Sequence, residues 1–232
     1  MPVELVQRDT YAEVNALVKD RNISVAFVCS GAYIDGMRDF GMELLVAPIA
    51  YGKLSYYLYI IVPKDSKATK LEDLKSKKFA FTDPMSNTGK LAPTYMIGKL
   101  GETPESFFSD IIYTNSHDKS IEAVARHFVD AAAVDSLIWD YADAVEPEFT
   151  SETKVIIKSP PYGIPPVVIP AGMAPELKEK LRNIFLNMHF DVEGRSILEK
   201  VKIDRFTQID DSAYDSIREM QRFLNEKQNS NK

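Results

Sequence analysis

The sequence predicts an α/β fold in two lobes, with mainly parallel sheets flanked by helices and two segments crossing between the lobes. Three observations carry this. Short apolar runs alternate with helical stretches along most of the chain, the order that builds parallel sheets covered by helices. No repeat of 20–50 residues and no low-complexity tract occurs, which excludes solenoids and propellers. Residues 77–156 hold three strand–helix units of their own, so they read as a second lobe inserted into a first lobe made of residues 1–76 and 157–232.

Residues 3–6 read as a strand, and Thr10 opens a helix through Val18 with Glu13 at capping-box spacing. Residues 23–28 are a second, almost wholly apolar strand, as befits one covered on both faces. Ser30-Gly31 turns into a short helix over 33–40. Two β-rich runs follow at 44–50 and 56–62, the latter stopped by Pro63. Alternation puts Tyr57 and Tyr59 on one face and Tyr56 on the other. Thr69 and Glu72 form a second capping box, for a helix over 71–75. Residues 79–82 are a strand that ends in Asp83-Pro84-Met85-Ser86-Asn87-Thr88-Gly89, a polar turn opening a helix through Leu100. Thr103 starts a helix with Pro104 at its favoured first position. Residues 111–114 are a strand, Ser116 caps a helix over 117–128, residues 131–134 are a strand, and Asp135 caps the helix containing Trp139. Residues 154–158 form a strand and the Pro-rich stretch 159–170 carries one more. Helices over 175–188, 192–200 and 212–226 close the chain.

Composition narrows the function. The 232 residues are 45% hydrophobic and 27% charged, ordinary for a folded protein and far from the disordered corner. A net charge of −6, with no basic block longer than Lys77-Lys78, speaks against nucleic acid, which needs a basic face. The single cysteine, Cys29, excludes an intrachain disulfide framework and a thiolate-clustered metal site. Charges at Glu4, Arg8, Asp9 and Glu13 leave no apolar stretch for a signal peptide. The longest apolar run, 56–63, is far short of the ~20 residues of a membrane helix.

Enzyme templates are absent: no G-x-S-x-G elbow, no phosphate loop of the G-x-x-x-x-G-K-[ST] type, no G-x-G-x-x-G and no H-E-x-x-H. Cys29 before Ser30-Gly31 reads either as a thiol at a helix start or, more simply, as a small buried residue ending a strand. No histidine pair has metal-ligand spacing. One kind of site is better represented. Ser30-Gly31, Ser86-Asn87-Thr88-Gly89 and Ser116-His117-Asp118 each stand where a strand ends and a helix begins, the edge where open α/β sheets bind ligands. Helix starts there offer free N–H groups and partial positive charge to an oxyanion. The plainer reading is that these residues only cap helices; three such turns favour an anion site.

The stretches VAFVCSGAYIDG (25–36), LEDLKSKKFAFTDPMSNTGKLAP (71–93) and SHDKSIEAVARHFVDAAAVDS (116–136) resemble, in order and spacing, the phosphonate/phosphite/phosphate-binding proteins of ABC importers, with D-P-x-S-x-[ST]-G at 83–89 the most specific element. The resemblance implies a type II periplasmic binding protein fold, a periplasmic or other extracytoplasmic location, an ABC permease as partner, and no catalysis or cofactor. It places a small phosphorus oxyanion on Ser86, Asn87 and Thr88, with His117 donating and its pKa rising when ligand binds. Tyr33 and Tyr56 match pocket tyrosines of the first lobe, and Asp135 matches a carboxylate that faces the ammonium group in aminophosphonate binders. Departures are Asn87 in place of a hydroxyl residue, Leu58 in place of serine, and a segment 160–166 without the additional carboxylate of aminophosphonate binders. These leave phosphate, phosphite or a simple alkylphosphonate. The family's leader and first strand–helix unit have no match here, and that first strand would lie between strands 3–7 and 23–28. Two open parallel edges and self-association of the first lobe are therefore expected. The alternatives are a sensory domain of the same fold, feeding a signalling partner, and an enzyme acting on an organophosphonate through His117 and Asp118.

Overall fold

The computed structural model describes residues 3–230. Residues 3–8 run as irregular chain, with Val3 and Leu5 86% and 84% exposed, so the strand expected at 3–6 does not form. An extended segment becomes a strand only when a neighbour pairs its N–H and C=O groups, and no described strand lies beside this one. Thr10 and Glu13 do form a capping box, opening α1 (Tyr11–Lys19). β1 is only Ala26–Phe27, and Phe27 is largely exposed rather than covered on both faces. Then come α2 (Ser30–Phe40), closed by Gly41 in the left-handed conformation, β2 (Glu43–Ala50), β3 (Ser55–Tyr56) and β4 (Leu58–Pro63). The 3₁₀ turn Leu71–Leu74 is capped by Asp73, whose carboxylate accepts from the N–H groups of Thr69 and Lys70; Glu72, expected in that role, takes no part.

The middle of the chain alternates as expected. β5 (Lys78–Phe81) leads to a π-helical turn at Asn87–Leu91 and α3 (Ala92–Lys99), and α4 (Pro104–Phe107) leads to β6 (Asp110–Tyr113). α5 (His117–Ala125), β7 (Ala131–Asp135) and α6 (Ser136–Val145) follow. The remainder is β8 (Thr153–Lys158), β9 (Tyr162–Gly163), β10 (Val167–Ile169), α7 (Pro175–Asn187), α8 (Val192–Lys200), β11 (Ile203–Thr207) and α9 (Asp215–Ser230). β11 escapes sequence reading because only Phe206 is buried while Asp204 and Arg205 face solvent.

The sheets are mixed rather than mainly parallel. One has the order β1-β10-β2-β11 and every pair in it is antiparallel. The other has the order β6-β5-β7-β4-β8; β5 runs parallel to β6 and β7, and β4 antiparallel to β7 and β8. Alternating strands and helices imply parallel pairing only where successive strands are neighbours, and β10 comes between β1 and β2. β1 pairs antiparallel to β10 and residues 3–8 form no strand, so the two parallel edges expected at 3–7 and 23–28 do not occur among the described residues. β4 lies in the five-stranded sheet although it precedes residue 77, and the chain passes between the two sheets at the paired segments β3 and β9. Tyr56 packs in one core cluster and Tyr57 and Tyr59 in another, on opposite faces as alternation requires.

The larger core cluster runs through both sheets' helices. Phe79 lies stacked on Phe108 at 4.2 Å between ring centroids and edge-on to Phe81 at 5.1 Å. α9 closes the back of the molecule, packing on α2 and α3 with Phe223 edge-on to Tyr95. Phe79 is fully buried, so Phe79→Ala loses transfer energy and leaves a cavity. We expect a loss of about 3–5 kcal/mol of unfolding free energy, read as a lower urea midpoint at unchanged slope; a loss below about 1 kcal/mol would show that the cluster collapses around the hole.

Candidate functional site

The site begins where β5 stops. Thr82 to Ser86 form a turn in which Asp83 accepts from the N–H of Met85 at 2.7 Å and, across the cleft, from the N–H of Tyr11 at 3.1 Å. The Ser86 hydroxyl accepts from the Gly89 N–H at 2.9 Å and so caps the helical run. Gly89 has no side chain because a Cβ would lie 2.5 Å from that of Thr82. Ser86, Asn87 and Thr88 are all fully buried. Yet the Thr88 hydroxyl and the Asn87 Oδ1 have no partner among the described residues, while Asn87 Nδ2 donates to the Tyr56 hydroxyl at 3.0 Å. A phenol both donates and accepts, so the Asn87 amide can turn either end toward it and leave an N–H₂ free.

The start of α2 meets this turn head-on. Cys29, its N-cap, accepts the Asn87 N–H on Sγ at 3.3 Å. Burial pushes the thiol's pKa up, the opposite of an activated nucleophile, so Cys29 is a packing and acceptor residue. A Cβ on Gly31 would lie 2.6 Å from the Met85 carbonyl oxygen and 2.9 Å from the Asn87 nitrogen, so only glycine permits the approach. Burial likewise holds the Tyr56 phenol well above its ordinary pKa. Tyr33, expected in the pocket, turns away: its hydroxyl donates to Asp211 at 2.6 Å and its ring stands edge-on to Tyr214.

His117, the first residue of α5, is buried and accepts the Asp135 N–H on Nδ1 at 3.1 Å. A backbone donor there puts the ring proton on Nε2, which has no partner among the described residues. Desolvation lowers the His117 pKa to about 3, and protonating Nδ1 would break the Asp135 contact. The imidazole is therefore a neutral N–H donor. Asp135 ends β7 and caps α6 by accepting from the Leu137 N–H at 2.7 Å. Burial raises its pKa to about 7, with the backbone N–H groups of Leu137 and Ile138 acting against it.

His117 and Asp135 line one cavity of about 500 Å³, together with Cys29 and Tyr11. Asn87 lies behind Cys29, bonded to it. The structure thus joins Ser86, Asn87, Thr88 and Tyr56 in one buried cluster, sets His117 and Asp135 in the adjoining cavity, and leaves Tyr33 outside both. Tyr11 and Arg8, which also line the cavity, escaped sequence reading. An aromatic residue directly after the Thr10 cap, in a turn leading to the cleft, was the available signal for Tyr11. Desolvation raises the pKa of its phenol.

A family model described as "ABC transporter, phosphonate, periplasmic substrate-binding protein" matches residues 1–214. The chain is 31% identical over 156 residues to the phosphonates-binding periplasmic protein of Escherichia coli (strain K12), covering 66% of this chain and 46% of that one. It is 26% identical over 163 residues to a protein of Prochlorococcus marinus (strain MIT 9301) named a probable ABC transporter phosphite binding protein, covering 67% and 54%. The chain thus spans about half the length of these curated relatives. Its structure is similar to a crystal structure of a binding protein component of an ABC phosphonate transporter from Pseudomonas aeruginosa, at 28% identity and a TM-score of 0.84, covering 91% of this chain and 72% of that one.

This geometry sets the pH dependence of stability and the tolerance of the junction to added bulk. With the His117 pKa at about 3, only the unfolded chain takes up that proton between pH ~6.5 and 3, so stability falls as pH falls. Asp135, with its pKa at about 7, keeps a proton that the unfolded chain releases near pH ~3.9, so stability falls as pH rises toward 7. The two slopes oppose each other between pH 5 and 7, each approaching about 1.4 kcal/mol per pH unit. His117→Asn should leave stability falling with pH over that range and Asp135→Asn should leave it rising. Urea titrations at pH 5, 6 and 7 with parallel profiles for all three proteins would disprove the assignment. Gly31→Ala should cost about 1–3 kcal/mol by forcing backbone apart, and an unchanged melting temperature would show that the two helix starts are free to separate.

Proposed function

The chain belongs to the family of periplasmic phosphonate-binding proteins of ABC transporters, and on that premise we propose that it holds a small phosphorus oxyanion in this cleft and delivers it to a membrane permease. Membership implies work outside the cytoplasm, as the substrate-capturing part of a transporter rather than as a catalyst. Among the described residues no helix is long and apolar enough to cross a membrane.

The observation that carries the reading is a set of neutral donors on neighbouring helix starts. His117 Nε2–H projects from the start of α5, the Thr88 hydroxyl is buried without a partner, and the Asn87 N–H is held by nothing stronger than a thiol at 3.3 Å. Donors of this kind suit an oxyanion, because hydrogen bonds to a charged acceptor contribute about 1.5–3 kcal/mol each in a site closed to water. Closure then follows from differential affinity: the ligand favours whichever arrangement lets both helix starts reach it. The acid–base alternative through His117 fares poorly, since an imidazole with its pKa lowered to about 3 is a weak base near neutrality.

Thr88→Val separates a binding role from a structural one. The substitution keeps the shape and removes a hydroxyl that has no partner, so the ligand-free protein should be as stable as the parent or more so. Affinity for methylphosphonate, phosphite or phosphate, whichever binds, should drop by about 1–3 kcal/mol in calorimetry. Unchanged affinity in the variant would place the oxyanion elsewhere. Failure of all three ligands to bind the parent would reject the function.

A further inference from the structure

The cavity beside His117 is far larger than the anion alone requires. A phosphate or phosphite ion displaces roughly three waters, about 90 Å³ at 30 Å³ each, whereas the cavity measures about 500 Å³. Its walls beyond His117 and Asp135 are chiefly apolar: Val14, Phe27, Val28, Leu137, Ile138 and Pro165. They come from both sides of the cleft, from α1, the β1 region and α6. Phe27, 59% exposed, and Ile138, 40% exposed, are large apolar side chains left facing solvent.

Building on the function proposed above, we propose that this site selects a phosphonate carrying an apolar substituent of several carbons over phosphate, phosphite and methylphosphonate. Within the cavity the oxyanion end is set by His117, on the side nearest the turn behind Cys29, which leaves the carbon chain to run along the apolar wall. Burying each methylene is worth about a fourfold gain in affinity. An inorganic anion leaves that wall wet and gains nothing from it. An amine-bearing substituent is served less well. The Asp135 carboxyl already accepts from Leu137, and with its pKa raised by burial to about 7 it offers an ammonium group only part of a charge near neutrality. Arg8 and Asp9 also line the cavity, and they bring both signs of charge to its polar part.

Calorimetry on the full chain with phosphate, methylphosphonate, n-butylphosphonate, phenylphosphonate and 2-aminoethylphosphonate decides it. The expected result is at least tenfold tighter binding of n-butylphosphonate than of methylphosphonate, with phosphate weakest. Ile138→Trp, which fills the cavity from a half-exposed position, should bring the butyl-to-methyl ratio down toward one. Phosphate or methylphosphonate binding as tightly as the butyl compound would overturn the selectivity and leave the oxyanion function standing, and so would tightest binding of the amine. No binding by any of the five would overturn both. The ligand series on the parent protein tests the selectivity even if the tryptophan variant does not fold.

Discussion

The close approach of two helix starts governs this cleft. The first turn of α2 comes so near the turn at Met85–Asn87 that a single added carbon on Gly31 would touch backbone on both. Both starts carry N–H groups without helical partners and partial positive charge, so pressing them together is favourable only if acceptors stand between. The chain supplies several. Asp83 takes N–H groups from both sides of the cleft, Cys29 offers sulfur to Asn87, and Tyr56 offers its phenol to the Asn87 amide. These acceptors are enough to seat the helices without exhausting their donors. An oxyanion is the guest that such a junction accommodates best.

Binding an anion largely through neutral groups, as proposed above, fits a chain whose net charge is −6. Cationic side chains do occur near the cleft: Arg8 lines the cavity, Lys90 lies over the ring of Phe81 at 4.0 Å, and Arg38 pairs with Asp35 and Asp39. Neutral donors in a dry pocket have one advantage over such pairs, because they lose little on desolvation and are weakly screened by salt. His117 shows how neutrality is enforced. The Asp135 N–H occupies Nδ1 and burial opposes the charged ring, so near neutral pH the proton sits on Nε2.

How much of this was legible in the sequence depended on how local each feature is. The turn at Ser86–Gly89, the capping role of Asp135 and the start of α5 at His117 are set within a few residues, and the sequence reading placed all three. Tyr33 was misplaced because which face of α2 meets the cleft depends on α9 and on Asp211, far along the chain. Tyr11 was missed for the same reason: its ring reaches the cavity only once Asp83, 72 residues away, fixes the start of α1. Sheet direction is less local still. β10 pairs with both β1 and β2, and nothing in a strand's own residues records which distant strand will lie beside it. The irregular course of residues 3–8 has the same origin, since apolar alternation makes a segment able to be a strand and a partner makes it one.

Buried polar atoms without partners are a weak guide when taken one at a time. Asn15, Thr150 and His189 also have such atoms, and none of the three lines the cavity. Asn15, for instance, uses its Nδ2 on the Ala32 carbonyl and helps hold α1 to α2. What separates Asn87 and Thr88 is that they are consecutive residues of a helix start that already has one N–H given to a weak acceptor. A further neutral donor, His117, waits in the adjoining cavity. Isolated orphans only cost stability, whereas neighbouring ones can share a guest, and on the function proposed above an oxyanion that reached this turn would recover that cost on binding.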